Sequence, residues 1–232
     1  VIFIGATLNQ KPERPNVLLF YMDDLRPELG SFGALQIYSP NIDSFAKKGM
    51  KFTNAYCNIP VCGASRASML TGMLPTKNRF LNYNTFVEKE VQEAITLPEL
   101  FKTNGYTTIS NGKIYHHLDD KKSDWDEIWR PYAFDKNSDD LAPTDYWQSL
   151  WKDYQNQDNS SRYQITDNGP AYEISEVSDY TYSDGLFTLK VIRDIEKLKK
   201  ANNPFFLTAG FISNHLPFNT PKKYWDLYKR DL

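Results

Sequence analysis

The sequence predicts an α/β fold in which a mostly parallel sheet is sandwiched by helices. Two observations predict it. Apolar runs that suit buried strands alternate with segments that begin and end like helices, and no internal repeat interrupts this order. The chain has 232 residues, enough for one large domain or two small ones. In such a sheet we expect the functional residues at the carboxyl ends of the strands.

The first predicted strand is the apolar run NVLLFYMDDL, residues 16–25. It ends abruptly in Asp23 and Asp24, as a buried strand does at a functional edge. Two adjacent carboxylates repel each other, so the pair indicates a hard divalent cation that prefers oxygen ligands. A solvated turn or the start of a helix is the alternative explanation for the same pair.

Helices are predicted from their terminal residues. The segment SPNIDSFAKKG (39–49) has Ser and Pro at its start and Gly at its end. The segment TLPELFKTNGY (96–106) repeats that pattern and leads into the predicted strand TTISNGKIY (107–115). Between the two, a further helix is expected from near Ser65 to about Thr71.

The longest helical pattern covers residues 183–200 and is followed at once by the predicted strand PFFLTAGF (204–211). Apolar residues at three-residue steps predict the buried stripe of this helix. The predicted stripe consists of Leu186, Leu189, Ile192 and Ile195.

Residues 119–182 break the alternation and are predicted to form a polar, aromatic-rich excursion from the sheet. Flexible linkers lack aromatic residues, so this segment is not a linker. It holds four of the five tryptophans, namely Trp125, Trp129, Trp147 and Trp151. Either these rings pack the excursion onto the body of the domain, or some of them line a sugar-binding cleft.

Composition limits the partners of the protein. With 27 basic and 29 acidic residues the net charge is −2, and no basic tract suggests nucleic-acid binding. No apolar run approaches the ~20 residues that a membrane-spanning helix needs. Residues 1–13 are a tail that is the remnant of a secretory signal, a first strand or a disordered end. Cys57 and Cys62 are too few for a disulfide framework, although a local bridge between them remains open.

The stretch PVCGASRASMLTG, residues 60–72, carries a second candidate site. Cys62 and Arg66 are four residues apart and therefore share one face of a helix. A helix start and a guanidinium together favour an anionic group. The alternative for Cys62 is a buried structural thiol.

The same stretch resembles the signature of the sulfatase family, Cys-x-Pro/Ala-Ser-Arg with a downstream Leu-Thr-Gly. Ala64 stands where proline is the commoner choice. The blocks RPNVLLFYMDDLRPELGSFG, SPNIDSFAKKGMKFTNAY, NGKIYHH and PFFLTAGFISNHLPF are similar to sulfatases of the iduronate-2-sulfatase-like type. The resemblance covers about residues 14–225 and weakens across the aromatic excursion.

The resemblance implies an alkaline-phosphatase/sulfatase-like fold and a hydrolase of sulfate esters, expected on a saccharide that contains sulfated uronic acid. It implies that Cys62 is oxidised to formylglycine and that calcium is the cofactor ion. The implied catalytic residues are Cys62, Arg66, Lys113, His116 and His215, with Lys113 and His215 also binding substrate. The implied metal ligands are Asp23, Asp24 and residue 62. Taken singly, Lys113, His116 and His215 have ordinary explanations as surface or loop residues.

The resemblance also implies that residues 14–232 are the N-terminal part of a longer catalytic domain. The C-terminal half of the same protein is then an expected partner, since it supplies further metal ligands and a second lysine. A periplasmic or secreted location is expected, or a lysosomal one in a eukaryote. Two other functions stay open: a phosphodiester or phosphonate hydrolase of the same superfamily, and a sulfated-glycan-binding fragment without catalysis. Phe211 replaces a histidine of the subgroup motif, which leaves the substrate preference open.

Overall fold

The computed structural model describes residues 14–117, 119–130, 154–166, 168–201 and 203–228. The predictions for the tail at 1–13 and for Trp147 and Trp151 lie outside these residues. Neither the origin of the tail nor the role of those two rings is therefore addressed by the structure.

The main sheet contains four strands, all parallel to their neighbours, in the order β1-β5-β2-β3. The strands of the described residues are β1 (Val17–Met22), β2 (Thr107–Gly112), β3 (Glu127–Trp129), β4 (Tyr172–Ser175), β5 (Phe205–Phe211) and β6 (Phe218–Pro221). The pair β4 and β6 forms a small second sheet, also parallel. The predicted parallel sheet is confirmed, and each of its three longer strands lies within a predicted strand.

The described helices are α1 (Pro40–Ala46), α2 (Cys62–Thr71), α3 (Val87–Glu90), α4 (Leu97–Thr103), α5 (Gln157–Thr166), α6 (Ser183–Ala201) and α7 (Lys222–Trp225). A capping box fixes the start of α4, because the Thr96 side chain accepts from the Glu99 backbone N–H and Glu99 accepts in return from the Thr96 backbone. Helix α2 ends at Gly72, whose φ of 68° suits glycine. This helix begins at Cys62, three residues before the predicted start.

Helices cover both faces of the main sheet. On one face, Ala64 and Leu70 of α2 pack in a core cluster with Phe206 of β5. On the other face, residues of α6 pack with Leu207 of β5. Successive residues of a strand point to opposite faces, so Phe206 and Leu207 mark the two layers of the core. The sandwiched architecture is therefore confirmed.

The buried stripe of α6 differs from the prediction. The buried residues of this helix are Ser183, Phe187, Val191, Asp194 and Leu198. Leu186 and Ile192 of the predicted stripe are 38% and 49% exposed. Steps of three residues drift around a helix of 3.6 residues per turn, whereas the observed steps of four, four, three and four stay on one face.

The predicted excursion is wrong at its start. Residues 127–129 form β3 and pair with β2 inside the main sheet. Trp125 is buried in the core, where its ring stacks on that of Phe206 with centroids 6.0 Å apart. For Trp125, packing onto the body of the domain is therefore the observed role. Across the described residues, no helix is both long and apolar enough to cross a membrane.

Candidate active site

Cys62 is the first residue of α2 and lies at the carboxyl edge of the sheet. Its thiol is free and half-buried, and Cys57 is also free, so the local bridge considered above is absent. The next residue, Gly63, is fixed by packing: a Cβ atom there would collide with the backbone carbonyl of Tyr83. Glycine at this place lets the start of α2 approach the backbone of Tyr83 closely.

The thiol of Cys62 contacts an imidazole. Its Sγ atom lies 3.4 Å from Nδ1 of His116, a buried residue. Burial raises the pKa of the Cys62 thiol. Burial, followed by the charge of Lys113, lowers the pKa of His116 to about 3. Both groups are therefore neutral near pH 7, and the pair is not the thiolate and imidazolium that activate a cysteine nucleophile.

Near this pair, the carboxylate of Asp23 forms ion pairs with two cationic side chains, Lys113 and Arg66. Asp23 accepts hydrogen bonds from Lys113 Nζ through Oδ2 and from Arg66 Nη2 through Oδ1, the latter at 2.9 Å. All three side chains are buried, with Arg66 and Lys113 at 0% exposed and Asp23 at 3%. Arg66 Nη1 also donates to the carbonyls of Lys113 and Ile114. The guanidinium of Arg66 therefore ties α2 to the chain that follows β2.

The charges of this cluster do not cancel. Burial on its own raises the pKa of Asp23, but the charges of Arg66 and Lys113 outweigh it and hold that pKa below its ordinary value. Burial lowers the pKa of Lys113, and Asp23 opposes this effect. When both cations are charged, these three side chains carry two positive charges and one negative charge. The nearby carboxyl of Asp184 is partly buried, and burial raises its pKa, which favours its neutral form. The cluster of Asp23, Arg66 and Lys113 therefore favours an anion.

Two glycines place Lys113 and His116. Gly112 ends β2 with φ of 72°, a conformation that suits glycine. A Cβ atom on Gly112 would collide with the carbonyl of Gly210, and one on Gly210 would collide with the carbonyl of Lys113. The two strands approach this closely where Lys113 N donates to Gly210 O at 2.8 Å. This close approach of β2 and β5 sets the direction in which the chain leaves β2, toward the cluster.

Asp24 and His215 are placed differently from the buried side chains of Asp23, Arg66 and Lys113. Asp24 is exposed, adopts φ of 52° and lines an open groove of about 630 Å³. His215 lies in the loop after β5, where its Nδ1 is 2.7 Å from the carbonyl of Leu216. That loop is joined to the cluster through the backbone, since Asn214 N donates to Asp23 O at 2.9 Å. The predicted roles of Asp24 and His215 remain predictions.

The residue types at this edge suit calcium, whereas their arrangement does not. Asp23 and Asp24 carry the hard carboxylate oxygens that calcium binds. However, both oxygens of Asp23 already accept hydrogen bonds from cations. Within the described ranges, no group of three or more His, Cys, Asp or Glu side chains is arranged to hold a metal ion. The donor chemistry fits calcium, but two carboxylates are few for an ion that takes six to eight oxygens.

Sequence reasoning missed two residues beside the site. The ring of Tyr21 lies under Arg66, with the guanidinium carbon 4.4 Å from the ring centroid. Asp184, in the first turn of α6, accepts the backbone N–H groups of Ile212 and Ser213. The sequence of β1 gave no reason to single out Tyr21 from the other apolar and aromatic residues of that strand. Asp184 looks in the sequence like any acidic residue at the start of a helix.

Fold and cluster together define an α/β protein with an anion site at the carboxyl edge of a parallel sheet. The Sulfatase family model matches residues 15–231. The chain belongs to the sulfatase family.

Relatives support this membership. The chain is 33% identical over 230 residues to iduronate 2-sulfatase of Mus musculus, an alignment that takes in 97% of this chain. It is 31% identical over 224 residues to an ulvan-active sulfatase of Formosa agariphila, which takes in 94% of this chain. In both comparisons the chain spans 39% of the length of the relative. The iduronate-2-sulfatase-like resemblance is therefore confirmed.

A solved structure shows the same fold. The phosphonate monoester hydrolase of Agrobacterium radiobacter superposes with a TM-score of 0.62 at 22% identity. The superposition covers 93% of this chain and 44% of that enzyme. At this identity the likeness concerns the fold alone, and it confirms the predicted alkaline-phosphatase/sulfatase-like class.

Proposed function

We propose that this protein hydrolyses sulfate esters, with residue 62 as the nucleophile. One observation carries the proposal: Cys62 begins the helix that also carries Arg66, and its side chain lies within electrostatic reach of the buried cluster of Asp23, Arg66 and Lys113, which has an excess of positive charge. A sulfate ester repels nucleophiles through the negative charge of its oxygens. A site that hydrolyses it must therefore neutralise this charge and hold the attacking group close by.

Residue 62 is proposed to act as formylglycine rather than as cysteine. The raised pKa of its thiol argues against a thiolate nucleophile. A hydrated aldehyde carries two hydroxyl groups on one carbon. One can attack sulfur as the S–O bond to the alcohol breaks, and the other can then lose its proton, so that the aldehyde re-forms and inorganic sulfate leaves from the same carbon. The CGASR pentapeptide and membership of the sulfatase family support this modification.

The remaining residues have separate proposed roles. Lys113 neutralises the bound sulfate, and Asp23 holds the lysine in place until substrate arrives. Arg66 supports residue 62 from within the same helix. His116, unprotonated and 3.4 Å from the side chain of residue 62, accepts a proton from it. His215 protonates the leaving oxygen of the ester.

Calcium is the proposed metal, with Asp23, Asp24 and residue 62 as the protein ligands within this chain. The ion would supply a fixed positive charge beside the sulfate oxygens. The further oxygens that calcium needs would come from the substrate, from water or from residues outside the described ones. We propose accordingly that residues 14–232 are the N-terminal part of a larger catalytic domain, and that the protein works outside the cytoplasm.

The proposed substrate is a sulfated saccharide that contains uronic acid. Two relatives of this chain, an iduronate 2-sulfatase and an ulvan-active sulfatase, support a saccharide rather than a small aryl sulfate.

The test uses the protein in the full length that its gene encodes, made in a host that forms formylglycine. Sulfate release is measured on defined heparan-type, dermatan-type and algal oligosaccharides, on 4-nitrophenyl sulfate, and on phosphodiester and phosphonate esters. We expect the highest kcat/KM on a sulfated saccharide and loss of turnover in Cys62→Ala. Preference for phosphorus esters would overturn the proposal, and so would saccharide binding without turnover.

A further inference from the structure

The turn that carries His215 is held by a carboxylate that no role above uses. Asp184 Oδ1 accepts the backbone N–H of Ile212 at 2.9 Å, and Asp184 Oδ2 accepts that of Ser213 at 2.9 Å. One side chain of α6 thus fixes two consecutive peptide units of the loop after β5. This is a bidentate contact, which restrains orientation as well as distance.

The next two N–H groups of the loop are also engaged. Asn214 N donates to Asp23 O at 2.9 Å, and His215 N donates to Ile212 O at 2.8 Å. All four consecutive donors from Ile212 to His215 therefore have an acceptor, and Asp184 supplies two of the four. The turn closes on Ile212, the residue that Asp184 holds first.

The carboxyl of Asp184 is partly withdrawn from water where it accepts the hydrogen bonds of the loop. Burial raises the pKa of the Asp184 carboxyl, and the two backbone donors act in the opposite direction. On balance the pKa stays raised, so these donors and the N-terminal end of α6 offset the cost of burying the charged form only in part. The neighbouring Gly185 packs directly against the chain at Asp179, where a Cβ atom would collide with the Asp179 carbonyl, and its N–H donates to Tyr182 O at 3.1 Å. The start of α6 is therefore a fixed support for the loop.

We propose that Asp184 is a positioning residue, which holds the loop of residues 212–215 so that His215 reaches the leaving oxygen of the ester. This inference rests on the proposed role of His215. Without Asp184 the loop loses two of its four backbone acceptors, and the imidazole loses its fixed place relative to Asp23 and residue 62.

The test compares two esters that differ in their need for a proton donor. The leaving alcohol of a saccharide sulfate needs protonation, whereas the 4-nitrophenolate of 4-nitrophenyl sulfate leaves readily without it. The variants are Asp184→Asn, the reference His215→Ala and the control Asp194→Asn. Asp194 is also a buried carboxylate of α6, but it accepts from Asn111 and Lys190, away from this loop. Each is made in the full-length protein, and kcat/KM is measured on the best saccharide of the screen and on 4-nitrophenyl sulfate.

We expect Asp184→Asn to lower kcat/KM on the saccharide by about tenfold or more, and on 4-nitrophenyl sulfate by less than about threefold. His215→Ala should show the same selectivity, meaning a larger loss of kcat/KM on the saccharide than on 4-nitrophenyl sulfate. Asp194→Asn should show no such difference between the two esters. Selectivity in His215→Ala without selectivity in Asp184→Asn would overturn the positioning role. The absence of selectivity in His215→Ala would instead overturn the proposed role of His215 itself.

A second variant and a second measurement cover failure of Asp184→Asn to fold. Asp184→Glu keeps the charge but displaces the carboxylate by one methylene group, so it should show the same selectivity to a smaller degree. Hydrogen exchange of the peptide that contains residues 212–215 should be faster in either variant than in the parent. Unchanged exchange in a folded variant would overturn the proposal whatever the kinetics.

Discussion

The Sγ atom of Cys62 lies 3.4 Å from Nδ1 of His116, and neither group carries a charge near pH 7. In enzymes that use cysteine as the nucleophile, the imidazole is charged and the thiol is deprotonated. Here burial and two neighbouring cations disfavour the imidazolium, and burial disfavours the thiolate. The geometry therefore places an unprotonated base beside residue 62 without activating a thiol.

The first prediction is that the thiol of Cys62 is converted to an aldehyde. Cleavage after Lys51 and Arg66 gives one peptide that contains both cysteines of the chain. Its mass should be lower by about 18 Da than the sequence requires, since sulfur is replaced by oxygen and two hydrogens are lost. Alkylation should label Cys57 only, which serves as the internal control. Two alkylated cysteines, from a host competent for this modification, would contradict the prediction.

The second prediction concerns pH. Between about pH 6.5 and pH 3 the unfolded chain binds a proton at His116 whereas the folded protein does not. The free energy of unfolding therefore falls as the pH is lowered, and His116 contributes at most about 1.4 kcal/mol per pH unit. In His116→Gln this contribution is absent, so urea unfolding from pH 6 to pH 4 should show a shallower dependence. Parallel pH profiles for parent and variant would show that His116 is protonated in the folded state.

The third prediction tests the buried cluster. Asp23→Asn keeps the shape of the side chain but leaves Arg66 and Lys113 without their carboxylate. Removing one partner of a buried ion pair costs about 3–5 kcal/mol of unfolding free energy. Glu28→Gln is the control, because Glu28 pairs with Arg26 at the surface, where such a pair contributes at most about 1 kcal/mol. Equal losses in the two variants, measured by denaturant unfolding, would show that the cluster is not a buried charge network.

Much of the fold follows from local sequence signals. The apolar runs of β1 and β5 and the capping residues of α4 each determine their element within a few neighbours, and β2 directly follows the end of α4. The strand β3 has only three residues in a polar segment, and its place depends on pairing with β2. Such a strand carries no periodicity of its own, so only the tertiary structure reveals it.

The sequence predicted candidate residues for the site, but it did not predict how those residues contact one another. The motif around Cys62 and the carboxylate pair at the end of β1 both indicated the carboxyl edge of the sheet. Asp23 and Lys113 are 90 residues apart in the chain, and their ion pair follows from the parallel order of β1, β5 and β2. Asp184 is a further case, because its contact to the loop after β5 arises only when α6 packs on the sheet.

The last prediction concerns the glycine that lets Lys113 enter the site. A Cβ atom on Gly210 would collide with the carbonyl of Lys113, which is backbone and cannot turn aside. Gly210→Ala should therefore cost about 2–3 kcal/mol of unfolding free energy and lower kcat/KM by displacing the lysine from Asp23. Gly49→Ala is the matched control, because its nearest neighbour would be Phe45 O at 3.9 Å, and its cost should stay within about 0.5 kcal/mol. Stability is measured by denaturant unfolding and activity by sulfate release. If Gly210→Ala keeps both in full, the close approach of β2 and β5 is not required to place Lys113.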